Sequence, residues 1–207
     1  MKIQPFQENS TRYEDWFERH PWVYQSELTA VRQLLPKQGL GIEIGVGSGR
    51  FAAPLGIPWG VEPSYNMSVL ARARGVRVVD GVGEALPLKK ARFDFVVMVT
   101  TICFLDDTQK ALAEIRRVLR PNGRVIIGFV DKLSPLGRTY EKYKDQSAFY
   151  KAANFFSVDE VVVCLKQSGF RDFKFRQTIF QPLNEIKQAE AVRSGYGEGS
   201  FVVISAR

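Results

Sequence analysis

Residues 41–51 read "GIEIGVGSGRF", an apolar run followed by glycines at 45, 47 and 49. Glycine without a Cβ tolerates positive φ and lets a ligand lie against the main chain. A short β-branched run leading into such a turn is the opening of an α/β unit whose first strand feeds a ligand-binding loop. Two phosphate cradles do not fit. The Walker loop needs G-x-x-x-x-G-K-[ST], and no such string occurs. The dinucleotide fingerprint G-x-G-x-x-G, started at Gly45 and Gly47, meets Arg50 where its third glycine belongs. The ligand must sit close to the backbone and need not carry a pyrophosphate.

The rest of the chain supplies the alternation that such a loop requires. Strand runs are expected at 40–45, 57–62, 76–80, 93–100 and 124–130, and their continuous apolar character fits burial on both faces of a parallel sheet. A helix is expected from Thr108 to Leu119, with Ala111, Leu112, Ile115, Val118 and Leu119 on one face, Asp106 or Asp107 as its cap, and "PNG" at 121–123 ending it. Ser157 and Glu160 have the spacing of a capping box for a second helix that stops at Gly169. Runs at 170–180 and 200–207 predict an antiparallel pair closing the sheet edge, joined by a long, glycine-ended excursion.

Two segments stand outside this alternation, residues 1–36 and 131–156. They hold 12 of the 25 aromatic residues, among them Tyr13, Trp16 and Tyr140. Such segments either cap a pocket above the carboxyl ends of the strands or lie as amphipathic helices outside the sheet, and the sequence leaves both open.

A total of 29 Lys and Arg against 22 Asp and Glu gives a net charge of +7, which raises the question of a nucleic-acid partner. Lys110, Arg116, Arg117 and Arg120 share a helical stretch with Glu114, the pattern of a solvated helix face. No basic tail or aromatic RNA-binding signature accompanies them. Cys103 and Cys164 match no metal-ligand spacing, and no metal site is expected. No apolar run is long enough to span a membrane, and the first residues hold no signal-peptide core. A cytoplasmic protein is expected.

Glu62 falls 17 residues after Gly45, at the end of the second strand run. An acidic side chain there can accept from two ribose hydroxyls, which points to a nucleoside. At this point the chain resembles the class I S-adenosylmethionine-dependent methyltransferases, in particular the small-molecule branch that includes the ubiquinone and menaquinone methyltransferases. The likeness covers roughly residues 38–130 and rests on "EIGVGSG" (43–49), "GVEPS" (60–64), "GVGEALPL" (81–88), "FDFVVMVTTICFLDD" (93–107) and "ALAEIRRVLRPNGRVII" (111–127), with "FFSVDEVVVCLKQSGF" (155–170) similar to a late helix.

The resemblance implies a Rossmann-like, doubly wound seven-stranded sheet, mostly parallel with an antiparallel last strand and helices on both faces. It implies a single domain with an N-terminal cap (1–36), a cofactor core (37–130), a cap insertion (131–156) and a C-terminal helix and strand pair (157–207). S-adenosylmethionine is the implied cofactor, bordered by Glu43, Gly45, Gly47, Gly49, Glu62, Gly83, Glu84 and Thr100, with Glu43 near the methionyl amino group. Val82 stands where the family has an Asp that accepts from adenine. The implied acceptor is a small molecule touching Tyr13, Trp16 and Tyr140, with His20, the single histidine, as the candidate base. The basic balance keeps an RNA or protein acceptor as one alternative. Val82 and the lack of an obvious base keep a non-catalytic, cofactor-binding regulator as another.

Overall fold

The computed structural model describes residues 3–207. Three helices open the chain: α1 (Gln4–Glu8), α2 (Ser10–Arg19) and α3 (Pro21–Leu34). There follow β1 (Gly41–Ile44), β2 (Trp59–Val61), α4 (Tyr65–Ala73), β3 (Arg77–Val79), β4 (Phe93–Val99), α5 (Thr108–Val118), β5 (Leu119–Val130), α6 (Pro135–Tyr143), α7 (Val158–Gln167), β6 (Lys174–Thr178), β7 (Arg193–Ser194) and β8 (Phe201–Ala206). They form one sheet in the order β3-β2-β1-β4-β5-β8-β6-β7. The first five strands run parallel; β8 is antiparallel to both β5 and β6, and β7 is antiparallel to β6. The fold is the α/β, Rossmann-like sheet expected. The sheet has eight strands rather than seven, because two residues of the 181–199 excursion pair with β6 at the edge.

Period-2 alternation decides which side chain goes to which layer. On β4, Val96 and Met98 join the core formed with α5 and α7, whereas Phe95, Val97 and Val99 join the core formed with α3. Ala111, Leu112, Ile115 and Val118 are wholly buried along α5, and each of the larger ones contributes roughly 1.5–3 kcal/mol by leaving water. Asp107 is the α5 cap, accepting from Lys110 N. Both hydrogen bonds of the Ser157–Glu160 box form at the start of α7. The helix ends at Val118, one residue before the expected Leu119, and "PNG" lies within β5. The pairing of β5 with β4 shifts register between Phe93 and Phe95, and Asn122 takes φ +65°, so the turn chemistry is spent on an irregularity in a strand.

The excursion is pinned by polar contacts. Glu190 Oε2 accepts from Phe180 N (2.7 Å), Glu190 N donates to Ser26 Oγ (2.8 Å), and Gln177 Oε1 accepts from Glu198 N and Gly199 N. The N-terminal segment divides its labour. Helix α3 lies on β5, β6 and β8, whereas α1 and α2 contribute side chains to the space beyond the ends of β1, β2 and β4.

Candidate cofactor and acceptor site

Strand order reverses at β1, whose neighbours β2 and β4 lead to opposite sides, and the crevice beyond their carboxyl ends is where open α/β sheets take ligands. A cavity of about 350 Å³ occupies it. The glycine turn forms one wall. Gly45 N and Val46 N both donate to Val61 O (2.8 and 3.0 Å), fixing the turn to the end of β2. Gly47 adopts φ +54° and faces the cavity; Gly49, at φ +82°, instead packs on α4, where a Cβ would lie 3.2 Å from Ala71 Cα.

Glu62 is 7% exposed and borders the same space. Its Oε2 accepts from Gly47 N (2.8 Å) and its Oε1 from Ser64 N (2.9 Å). Burial pushes its carboxyl up to about 7 against those two hydrogen bonds, and nearby Asp80 adds to the rise. A carboxylate offers about four lone-pair sites, so each oxygen keeps capacity for a further donor. Two vicinal hydroxyls match that capacity, and the bare backbone at Gly47 allows a nucleoside to approach. The residues therefore fit the expected cofactor. Glu43 lies on β1, 2% exposed, with Oε2 lacking a hydrogen-bond partner; burial, with Glu62 adding, raises its carboxyl well above the usual range.

Thr100 closes the wall at the end of β4. It holds φ +49°, a left-handed conformation costly for a β-branched residue, and its N donates to Gly128 O (2.8 Å). Opposite stand rings from both aromatic segments: Phe6, Tyr13 and Trp16 from the first, Tyr140, Phe149 and Tyr150 from the second. The two segments meet edge to edge or tilted, Phe6 to Phe149 at 5.3 Å and Tyr13 to Phe149 at 6.1 Å between centroids.

Arg50, in the position a dinucleotide fingerprint gives to glycine, ties α2 to the glycine turn. Its Nε donates to Glu14 Oε2 (3.0 Å) and its Nη2 to Glu18 Oε1 (2.7 Å), and its guanidinium lies 5.1 Å from the Phe17 ring. Arg74 also pairs with Glu14 and donates to Ser48 O (2.8 Å). Burial raises the Glu14 carboxyl, but the hydrogen bonds and charge of Arg50 and Arg74 hold it below the ordinary value. Farther along, Gln7 of α1 accepts from Ser64 Oγ (2.8 Å) at the start of α4.

Of the residues singled out in the sequence, Gly45, Gly47, Glu62, Thr100, Tyr13, Trp16 and Tyr140 come together around the cavity. Gly83 and Glu84 do not line it. Gly83 packs towards Leu105 and Ala111, and Glu84 Oε1 accepts from Asp106 N (2.8 Å), bracing the loop before α5. His20 joins α2 to α3, its ring 5.1 Å from Trp16, and is also away from the cavity lining. Pro21 begins α3 at once, which makes His20 a helix joint.

Glu27 escaped the sequence reading. It lines the cavity from α3 at 5% exposure, and burial pushes its carboxyl up to about 8. The signal was present: Val23, Ser26, Glu27, Ala30, Val31 and Leu34 form the buried stripe of α3, and a carboxylate on such a stripe is out of pattern. Phe104 and Thr101, from the turn after β4, were also missed.

Residues 42–127 match the family model for a methyltransferase domain. The chain is 52% identical to a crystal structure of an S-adenosylmethionine-dependent methyltransferase from Thermotoga maritima, described there as a possible histamine N-methyltransferase, with a TM-score of 0.97 over 98% of each chain. It is 44% identical to an uncharacterised protein of Methanocaldococcus jannaschii over 97% of both chains. An uncharacterised protein of Mycobacterium tuberculosis is 34% identical over 96% of this chain and 72% of its own length. The chain belongs to the S-adenosylmethionine-dependent methyltransferases.

Proposed function

We propose that this methyltransferase acts on a small, partly apolar acceptor held between the cofactor wall and the aromatic caps formed by residues 1–36 and 131–156. The observation that carries this reading is the single cavity shared by Gly45, Gly47 and Glu62 on one side and by Tyr13, Trp16, Tyr140 and Tyr150 on the other. S-adenosylmethionine supplies an electrophilic methyl group on a sulfonium. In the proposed reaction the protein's share is alignment: Glu62 fixes the nucleoside end, Thr100 and Thr101 border the space above β4, and the rings orient the acceptor and exclude water. Positioning of this kind can lower a barrier by about 7–11 kcal/mol in favourable cases.

Several of the basic side chains are paired with acids within the fold, Arg50 with Glu14 and Glu18, Arg74 with Glu14, Arg117 with Glu114, Arg120 with Asp94 and Arg207 with Asp172. That pairing weakens the case for a nucleic-acid track. The deciding experiment is transfer of labelled methyl to a panel of small metabolites, histamine included because of the Thermotoga relative, run beside bulk RNA and unfolded protein. Label in the small-molecule fraction is expected. Label confined to RNA or protein would overturn the proposal.

A further inference from the structure

A carboxyl group on the inner stripe of a helix, 5% exposed and facing a cavity, needs a partner. Glu27 makes no hydrogen bond or ion pair among the described residues, although neighbouring Ser26 and Glu190 bond one another. Burying a charge without a partner is costly, and an apolar residue would complete the stripe at no such cost. The cavity is the one direction from which a partner can come.

The surroundings select the partner's charge. Tyr13 and Trp16 on α2, Tyr140 on α6 and Tyr150 in the 3-10 turn 150–152 share the cavity with Glu27, and Glu27 raises the phenol pKa of Tyr13, Tyr140 and Tyr150 further above values already lifted by burial. Those phenols therefore stay neutral and present ring faces and hydroxyls. Ring faces attract cations. Among the charged groups on the same cavity, Arg12 and Arg19 are exposed and Glu62 stands by the glycine turn, so no basic side chain accompanies Glu27 at depth. A divalent cation is a poor match, because no group of three or more ligating side chains exists among the described residues.

We infer that Glu27 and the surrounding tyrosines form an acceptor subsite for a primary or secondary amine, whose ammonium group pairs with the Glu27 carboxylate. The assignment rests on the small-molecule reading above and names its substrate class. Glu27 also takes the proton that the ammonium must lose before its nitrogen has a lone pair to form the new N–C bond. When that bond forms, the methyl carbon parts from sulfur and the C–S electron pair stays on sulfur.

The test is calorimetry on the protein saturated with S-adenosylhomocysteine, using matched pairs of probes: benzylamine against benzyl alcohol, and 2-phenylethylamine against 2-phenylethanol. The amines should bind at least tenfold more tightly than the alcohols. Free Glu27 is mostly protonated at pH 7, and the ion pair holds a single proton, so each amine bound should release close to one proton, read from the buffer dependence of the enthalpy. Glu27→Gln should weaken amine binding tenfold or more and abolish the proton release, with S-adenosylhomocysteine affinity within twofold; Glu27→Asp should retain the amine preference in part. Thermal melts of both variants establish that they are folded. Alcohols binding as well as amines, or a Gln variant keeping both affinity and proton release, would overturn the amine assignment alone. Failure of every small probe, with S-adenosylhomocysteine still bound, would overturn the small-molecule reading with it.

Discussion

Replacing Glu27 by Gln should make the free protein more stable in alkaline solution, with an effect that grows with pH. Burial raises the Glu27 carboxyl from the ordinary 4.5 to about 8. The folded state therefore binds a proton more tightly than the unfolded chain, and between those two values it holds more protons. Stability must fall as pH rises through that window and stay reduced above it. At 1.36 kcal/mol per pKa unit, a displacement of about 3.5 units corresponds to about 5 kcal/mol of lost stability above pH 8. Glutamine keeps the shape and cannot ionise, so the variant escapes that loss. For a chain of this size 1 kcal/mol moves the melting temperature by about 2–4 °C. The Gln variant should gain on the wild type by about 10–20 °C between pH 5 and pH 9. The assay is thermal or urea unfolding of both proteins across that range without added ligand. Subtracting one curve from the other removes what Glu43 and Glu62 contribute to both. A difference that stays flat from pH 5 to pH 9 would refute the claim that Glu27 is buried without a partner.

Glu62→Gln should weaken S-adenosylhomocysteine binding about tenfold to a hundredfold in calorimetry, since a neutral amide accepts less strongly from donors than a carboxylate; unchanged affinity would remove Glu62 from the cofactor site. Glu14→Ala should cost about 1–2 kcal/mol, because two guanidinium groups lose their common acceptor, and should speed amide exchange across 10–19 more than in β4. The Glu14 carboxyl is held below its ordinary value, so its contribution is present above about pH 4.5 and is lost on acidification below that. Ser157→Ala should lower stability by about 1 kcal/mol through loss of the α7 cap, with methyl transfer unaltered at temperatures where the protein is folded.

How far the sequence could be read depended on whether a feature was local. The glycine turn, the α5 cap at Asp107 and the Ser157–Glu160 box are set by neighbours within a few residues, and they appear in the structure at the expected positions. The burial of β1, β4 and β8 on both faces likewise follows from their mostly apolar runs. Features that depend on a distant partner were harder to see. "PNG" is turn chemistry by composition, and it loops out between Leu119 and Arg124, the residues of β5 that pair with β4 on either side of it. Arg193 and Ser194 form a strand only because β6 offers an open edge. Glu84 reads as part of an adenine-side motif, and the partner of its Oε1, Asp106 N, lies 22 residues away. Glu27 could have been found by asking which charged residue interrupts a helix's apolar stripe; its place on the cavity could not, since two of the rings that share it, Tyr140 and Tyr150, come from more than a hundred residues away.

Arg50 gives the glycine turn a second meaning. Changing it to glycine would complete the dinucleotide fingerprint, and as a swap of cofactor preference the exchange looks simple on paper. In the molecule the same side chain is one tether between the turn and α2, through Glu14 and Glu18, beside Arg74, which joins Glu14 to Ser48 O. The substitution would loosen the helix that carries Tyr13 and Trp16, leaving Arg74 to hold Glu14. Ligand choice and roof therefore share a residue, and a route from this loop to a pyrophosphate-binding one passes through a weakened roof.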